Sequence, residues 1–193
     1  MSEKDVLKLF KTEKALLDGH FLLSSGLHSP NYLQCALLLQ KPWAAEKLCR
    51  ALAGKLSKTK IDVVIGPALG GILVSYEMGR ALGVRSIFAE RVDGVLTLRR
   101  GFTLKKNEKA LVVEDVVTTG KSTNEVIGIV RQNQAALVGV AAIVDRSGGK
   151  VSFGAPFHYL LKVDIETYKA EECALCREGK VPLVKPGSRI LTL

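Results

Sequence analysis

Leu111-Val112-Val113-Glu114-Asp115-Val116-Val117-Thr118-Thr119-Gly120-Lys121-Ser122-Thr123 is the stretch on which the reading of this chain turns. An apolar, strand-like run meets two adjacent carboxylates and then a hydroxyl-rich turn containing glycine. Ser122 and Glu125 have the spacing of a helix capping box, so the pattern predicts strand, turn, helix. A helix N-terminus offers unpaired backbone N–H groups and a positive dipole end, and Thr118, Thr119 and Ser122 add hydroxyl donors, so this turn suits a phosphate. Glu114 and Asp115 would repel a lone phosphate and make better sense against sugar hydroxyls. A ligand with both a diol and a phosphate is a phosphorylated sugar or nucleotide. Gly120-Lys121-Ser122 looks like the end of a P-loop, but that motif needs a glycine where this chain has Asp115. An ordinary strand–turn–helix with exposed acids gives the same local pattern.

Outward from this stretch, strand-like apolar runs alternate with helical patterns, the mark of an α/β domain built on a parallel sheet. Helices are expected over 6–17, 44–56, 72–82 and 123–134, and strands over 21–23, 32–39, 61–65, 84–89, 110–113, 138–144 and near 159–163. Nothing repeats internally.

In such sheets ligands gather at the carboxyl ends of strands. Besides the acid pair, two other strand ends carry suggestive residues. Gly66-Pro67-Ala68-Leu69-Gly70-Gly71 follows one strand and precedes a helix; its glycines let backbone N–H groups approach a ligand, although a tight strand–helix turn explains it as well. Asp145-Arg146 follows another. That arginine is either solvated or turned into the cleft, where its planar guanidinium would take a carboxylate or imide edge. Between Ala89 and Ala110 lies a connection longer than usual, bracketed by Gly94 and Gly101 and carrying Arg91, Arg99 and Arg100. It reads as an exposed hairpin or as a lid that lowers guanidiniums onto a polyanion.

Composition sets the limits. A chain of 193 residues with 47% apolar content buries a substantial core as one domain. Charges interrupt every long apolar run, and the N-terminus lacks a signal pattern, so a soluble, cytoplasmic protein with no membrane partner is expected. The net charge of +9 is scattered, without the aromatic-interleaved stripe used on nucleic acid, so anionic small substrates are expected and nucleic acid is not. Cys173-Ala174-Leu175-Cys176 supplies only half of a four-ligand zinc site, and Cys35 and Cys49 have no matching spacing. All four cysteines are read as reduced thiols.

The run from Leu111 to Thr123 resembles the phosphoribosyl pyrophosphate (PRPP) signature of type I phosphoribosyltransferases. Further segments narrow the resemblance to the orotate branch of that family: Gly19 to Tyr32, Gly66 to Gly71, the Arg91 to Phe102 hairpin, Asp145-Arg146, and Val181 to Arg189. The resemblance implies an α/β fold with a mainly parallel central sheet flanked by helices. A small hood would come from about residues 1–40 and 146–193, the core from about 41–145, and a flexible hairpin from about 91–102.

It also implies an activity: transfer of the phosphoribosyl group of PRPP to orotate, giving orotidine 5′-phosphate and diphosphate in pyrimidine biosynthesis. By the same resemblance, Glu114 and Asp115 would bind the ribose hydroxyls, and Val116, Val117, Thr118, Thr119, Gly120, Lys121 and Ser122 would surround the 5-phosphate. Leu69 and Gly70 would present backbone to the diphosphate. Arg146, Thr118, Ser25, Gly26 and Tyr32 would take orotate. Arg91, with Arg99 or Arg100, would act from the neighbouring subunit of a homodimer with shared active sites. Mg²⁺ would be the cofactor, held mainly by substrate and water with no direct protein ligand. Asp115 would also offset positive charge on the ribose.

The sequence departs from well-known bacterial members of that family, which carry lysine at the positions of Ser24 and Gly70 and further cations in the hairpin. A phosphoribosyltransferase for another base would share the signature, but Arg146 fits the carboxylate of orotate better than a neutral purine. A ligand-sensing regulator on the same fold would lose the hairpin or the diphosphate turn, or add a DNA-binding segment, and this chain does neither.

Overall fold

A computed structural model describes residues 1–23 and 25–186. Ser24 and the Gly187-Ser188-Arg189 part of the tail, both named above, lie outside the described residues.

Three apolar runs form the centre: β3 (Val63–Pro67), β6 (Lys109–Val117) and β7 (Ala136–Asp145). Their sequences are nearly continuous in Val, Ile, Leu and Ala because both faces of the sheet are covered. Alternate residues of β6 point to opposite faces. Leu111 and Val113 join Val64, Ala141 and Ile143 in one core cluster, and Ala110 and Val112 join Val63, Ile65 and Ala142 in the other. The first cluster is closed by α1 (Glu3–Thr12), α2 (Cys35–Leu39), α3 (Pro42–Gly54) and α4 (Gly70–Leu82), which contribute Phe10, Leu38, Leu48, Leu52 and Met78. The second is closed by α5 (Lys121–Gln132) through Val126, Ile127 and Val130.

With β4 (Arg85–Val92), β5 (Val95–Leu98) and β8 (Phe157–Lys162), these strands make a six-stranded sheet in the order β5-β4-β3-β6-β7-β8. All neighbours are parallel except β4 and β5. From β3 the chain winds outward through α4 to β4, and from β6 it winds the opposite way through α5 to β7. The reversal falls between adjacent β3 and β6, so their carboxyl ends flank the crevice where ligands bind in open α/β sheets.

A separate antiparallel pair, β1 (Leu16–Leu22) and β2 (His28–Leu33), is bordered by the C-terminal segment on both sides. His28 and Tyr168 exchange backbone hydrogen bonds at 2.8 and 2.9 Å, while Leu22 N–H donates to Val184 and Val184 N–H to His20, each at 2.8 Å. The tail adds a 3₁₀ turn (Ala170–Glu172) and α6 (Ala174–Glu178).

The structure revises several expected elements. The predicted strand over 32–39 ends at Leu33, and Cys35–Leu39 is helical; a short continuous apolar run does not distinguish the two states. The first helix stops at Thr12, with Lys14 in the left-handed region at φ 53°, so Leu16 and Leu17 begin β1. The capping box expected at Ser122 and Glu125 is also absent. Helix α5 starts two residues earlier, its N-cap is Gly120 at φ 72°, and Ser122 lies inside the first turn.

Candidate active site

The acid pair ends β6 at the topological reversal. Glu114 is buried, and its carboxylate accepts the Asp115 N–H at 3.2 Å; Asp115 in turn accepts the Val116 N–H at 2.8 Å. Burial, reinforced by the negative charge of Asp115, pushes the Glu114 carboxyl well above its ordinary range. Burial also raises Asp115. Two crowded carboxylates with no ion-pair partner among the described residues are costly to keep ionised, which suits groups awaiting donors such as hydroxyls.

Across the reversal, the turn after β3 comes directly against Asp115. A Cβ on Gly70 would meet Asp115 Oδ2 at 2.6 Å and Cγ at 2.7 Å, so any side chain there displaces the carboxylate. The peptide between Ala68 and Leu69 is cis, and Ala68 N–H donates to the Ala89 carbonyl at 2.7 Å. Leu69 is largely exposed.

Beyond the acids, residues 116–123 curl around a recess of about 70 Å³ also lined by Glu114. Gly120 makes the turn possible. Its φ is +72°, and a Cβ would press on Phe153 at 3.0 Å and on Val151 at 3.2 Å. No side chain caps α5, and the Lys121 N–H has only a long 3.4 Å contact with Thr119 Oγ1. The helix end therefore remains available to an anion. Val117 is buried in the core, so it reaches the recess through its backbone.

A larger cleft of about 610 Å³ opens beside the acids and is lined by Asp115, Thr118, Lys121, Ser25, Tyr32 and Arg146. Arg146 is held by its backbone N–H, which donates to the Val117 carbonyl at 2.8 Å. Its guanidinium forms no ion pair among the described residues, and burial lowers its pKa. A half-desolvated cation facing a cleft is a receptor for an anionic, planar edge. Tyr32 packs against Phe21 at 5.7 Å between centroids, and burial raises its phenol, with Arg146 opposing the shift.

The sequence of this chain matches the phosphoribosyl transferase domain over residues 39–155. It is 60% identical to the orotate phosphoribosyltransferase of Carboxydothermus hydrogenoformans over 187 residues, covering 96% of this chain and 97% of that one. The chain belongs to the orotate phosphoribosyltransferase family. The orotate phosphoribosyltransferase of Caldicellulosiruptor bescii is 57% identical, with 98% of this chain and 99% of that one aligned. Among solved structures, orotate phosphoribosyltransferase from Aeropyrum pernix superposes with a TM-score of 0.70 at 25% identity, covering 82% of this chain and 93% of that chain. An adenine phosphoribosyltransferase from Thermoanaerobacter pseudethanolicus shares the fold, with a TM-score of 0.62 at 16% identity over 69% of this chain and 88% of that one.

In this orotate phosphoribosyltransferase relative, Glu114, Asp115, the 116–122 turn, Gly70, Ser25, Tyr32 and Arg146 converge on one crevice. Gly26 occupies the β1–β2 turn at φ 83° next to Ser25. The hairpin arginines do not converge. Arg91 pairs with Glu125 at 2.8 Å and also donates to the Gly94 carbonyl, and Arg100 pairs with Glu90 at 2.9 Å with its guanidinium over the Phe88 ring. Arg99 forms no ion pair among the described residues. The segment is a regular hairpin, with Asp93 and Gly94 turning at φ 48° and 85° and β5 at the edge of the main sheet. Sequence reasoning missed Gln34 and Cys35, which line the cleft because the chain leaves β2 and turns into α2 there. Asp145, which the sequence placed beside Arg146 without a role, is buried and accepts from the Ser147 N–H at 2.9 Å and hydroxyl at 2.6 Å, fixing the bend that aims Arg146.

Proposed function

We propose that this chain transfers the phosphoribosyl group of PRPP to N1 of orotate, giving orotidine 5′-phosphate and diphosphate in pyrimidine biosynthesis. The observation that carries the reading is the placement of Arg146 and Asp115 in one cleft, with the phosphate-sized turn beside them. Glu114 and Asp115 accept the ribose hydroxyls, and the start of α5 with Thr118, Thr119 and Ser122 holds the 5-phosphate. The backbone at Leu69 and Gly70 faces the diphosphate. Arg146 takes the orotate carboxylate or imide edge, with Ser25, Gly26, Thr118 and Tyr32 around the ring.

The reaction needs no protein nucleophile. Orotate N1 approaches the anomeric carbon as the bond to diphosphate breaks, and the ribose ring carries positive charge in between. The task of the protein is to hold two substrates in line and to offset that charge, which falls to Asp115. Mg²⁺ fits the donor set: the acids at the end of β6 are hard oxygens, and a cation that dehydrates reluctantly is carried by substrate oxygens and water beside them. When bound, it neutralises charge on the departing diphosphate.

We read the assembly as a cytoplasmic homodimer in which the hairpin reaches the partner's cleft. Supporting this, Arg91 and Arg100 do not line the cleft of their own chain. Among the described residues, no helix is long and apolar enough to cross a membrane.

The test is direct. Purified protein with Mg²⁺, PRPP and orotate should consume orotate absorbance, whereas turnover with adenine, guanine or uracil but not orotate would overturn the reading.

A further inference from the structure

The two cysteines that the sequence left without partners acquire them in the fold. Strands β1 and β2 place His20 and His28 side by side, and the tail brings Cys173 and Cys176 onto them. One donor atom from each residue lies within 4.8 Å of all the others. His20 Nε2 is 3.1 Å from His28 Nδ1, 3.4 Å from Cys173 Sγ and 3.6 Å from Cys176 Sγ, while Cys176 Sγ is 3.2 Å from His28 Nδ1. His20, His28 and Cys173 are buried, and Cys176 is exposed.

Hydrogen bonding does not account for this arrangement. His20 Nδ1 lies 3.2 Å from the Val181 carbonyl, which only accepts, so the ring carries its proton there and Nε2 presents a lone pair. That single lone pair faces three heavy atoms at once. It satisfies at most one of them by hydrogen bonding, whereas a cation between them satisfies all. The distances match one metal in particular. Zinc bonds of roughly 2.0–2.1 Å to nitrogen and 2.3 Å to sulfur give tetrahedral edges of about 3.3 Å between nitrogens and about 3.6 Å between nitrogen and sulfur. The observed separations fall within about 0.4 Å of those edges. The His20–Val181 contact is the outer-shell bond that fixes the tautomer and orientation of a metal-bound imidazole.

We infer that His20 Nε2, His28 Nδ1, Cys173 Sγ and Cys176 Sγ form a tetrahedral site for a thiophilic divalent cation, zinc foremost, that fastens the C-terminal segment to the β1–β2 hairpin. Four protein donors leave no open position, so the site is structural. Cys176 at the surface gives the ion its path in. Because the β1–β2 turn carries Ser25 into the substrate cleft, the clamp also braces one wall of that cleft.

The full chain purified without chelator should contain zinc at about one atom per polypeptide by elemental analysis, with Cys173 and Cys176 protected from thiol reagents until the metal is removed. Cobalt added to the stripped chain should give the visible absorption of a tetrahedral thiolate complex. Cys176→Ser should lose the metal and lower the thermal midpoint by roughly 10 °C, while Cys49→Ala, at a thiol elsewhere in the core, should keep the stoichiometry. Two readily modified thiols in a chain that binds neither zinc nor cobalt would overturn the assignment, as would a Cys173–Cys176 disulfide with no metal uptake after reduction. The cobalt spectrum of the unmodified chain decides the matter even if a variant fails to fold.

Discussion

Glu114 and Asp115 stand at the end of a strand buried on both faces, next to the glycine turn that closes on them. Arg91 and Arg100 stand on an edge hairpin, where each is tied to an acid of its own chain. Under the proposed function both regions carry charge for the same ligand. The core acids are in place before any ligand arrives, and they bear the cost as raised pKa values from burial. The hairpin cations sit in exposed ion pairs, which are worth little and exchange readily. On that reading, the groups that align the ribose are fixed by packing, and the groups that meet the closed complex are held in reserve.

Gly70→Ala should break the preformed side most severely. A Cβ 2.6 Å from Asp115 Oδ2 pushes the carboxylate off its position, and kcat/KM for PRPP should fall roughly 100-fold with the far-UV spectrum unchanged. Wild-type kinetics in that variant would mean that Asp115 has no fixed position to lose. A smaller loss is expected from Arg91→Ala, about tenfold, in line with one charge-assisted hydrogen bond. Heterodimers of Arg91→Ala with Asp115→Asn then distinguish the two geometries: a hairpin acting across the dimer restores about one functional site per heterodimer, and one acting on its own cleft restores none. Smallest is Glu125→Ala, which frees Arg91 and should change stability by about 0.2–1 kcal/mol in urea titration.

The acid pair also sets a pH dependence. Glu114 is raised in the folded chain, so the fold holds its proton to higher pH than the unfolded chain does. The associated stability is therefore present at acid pH and lost as pH rises through the folded value. Glu114→Gln, which is always neutral, should grow more stable relative to wild type as pH climbs above the ordinary carboxylate range. Urea midpoints whose difference does not change with pH would contradict the burial of an ionisable group there.

How much of this was legible in the sequence depended on how local each signal is. The strands β3, β6 and β7 announce themselves because burial on both faces writes an unbroken apolar run, and the acids and Gly120 are readable because one short segment contains them. Cys35 and Gln34 were hidden, since an apolar run after Tyr32 is equally a strand or a helix. The contact between Gly70 and Asp115 joins two loops across the sheet reversal and leaves no trace in either segment alone. The same holds for His20, His28, Cys173 and Cys176, whose spacing within each pair gives no hint that the fold unites them.

The proposed division of the cleft into a ribose wall and a base wall is tested most directly by steady-state kinetics on two variants. Asp115→Asn should raise KM for PRPP roughly 10- to 100-fold and leave KM for orotate within about threefold, while Arg146→Ala should do the reverse. Equal effects of either substitution on both substrates would contradict the two-wall site.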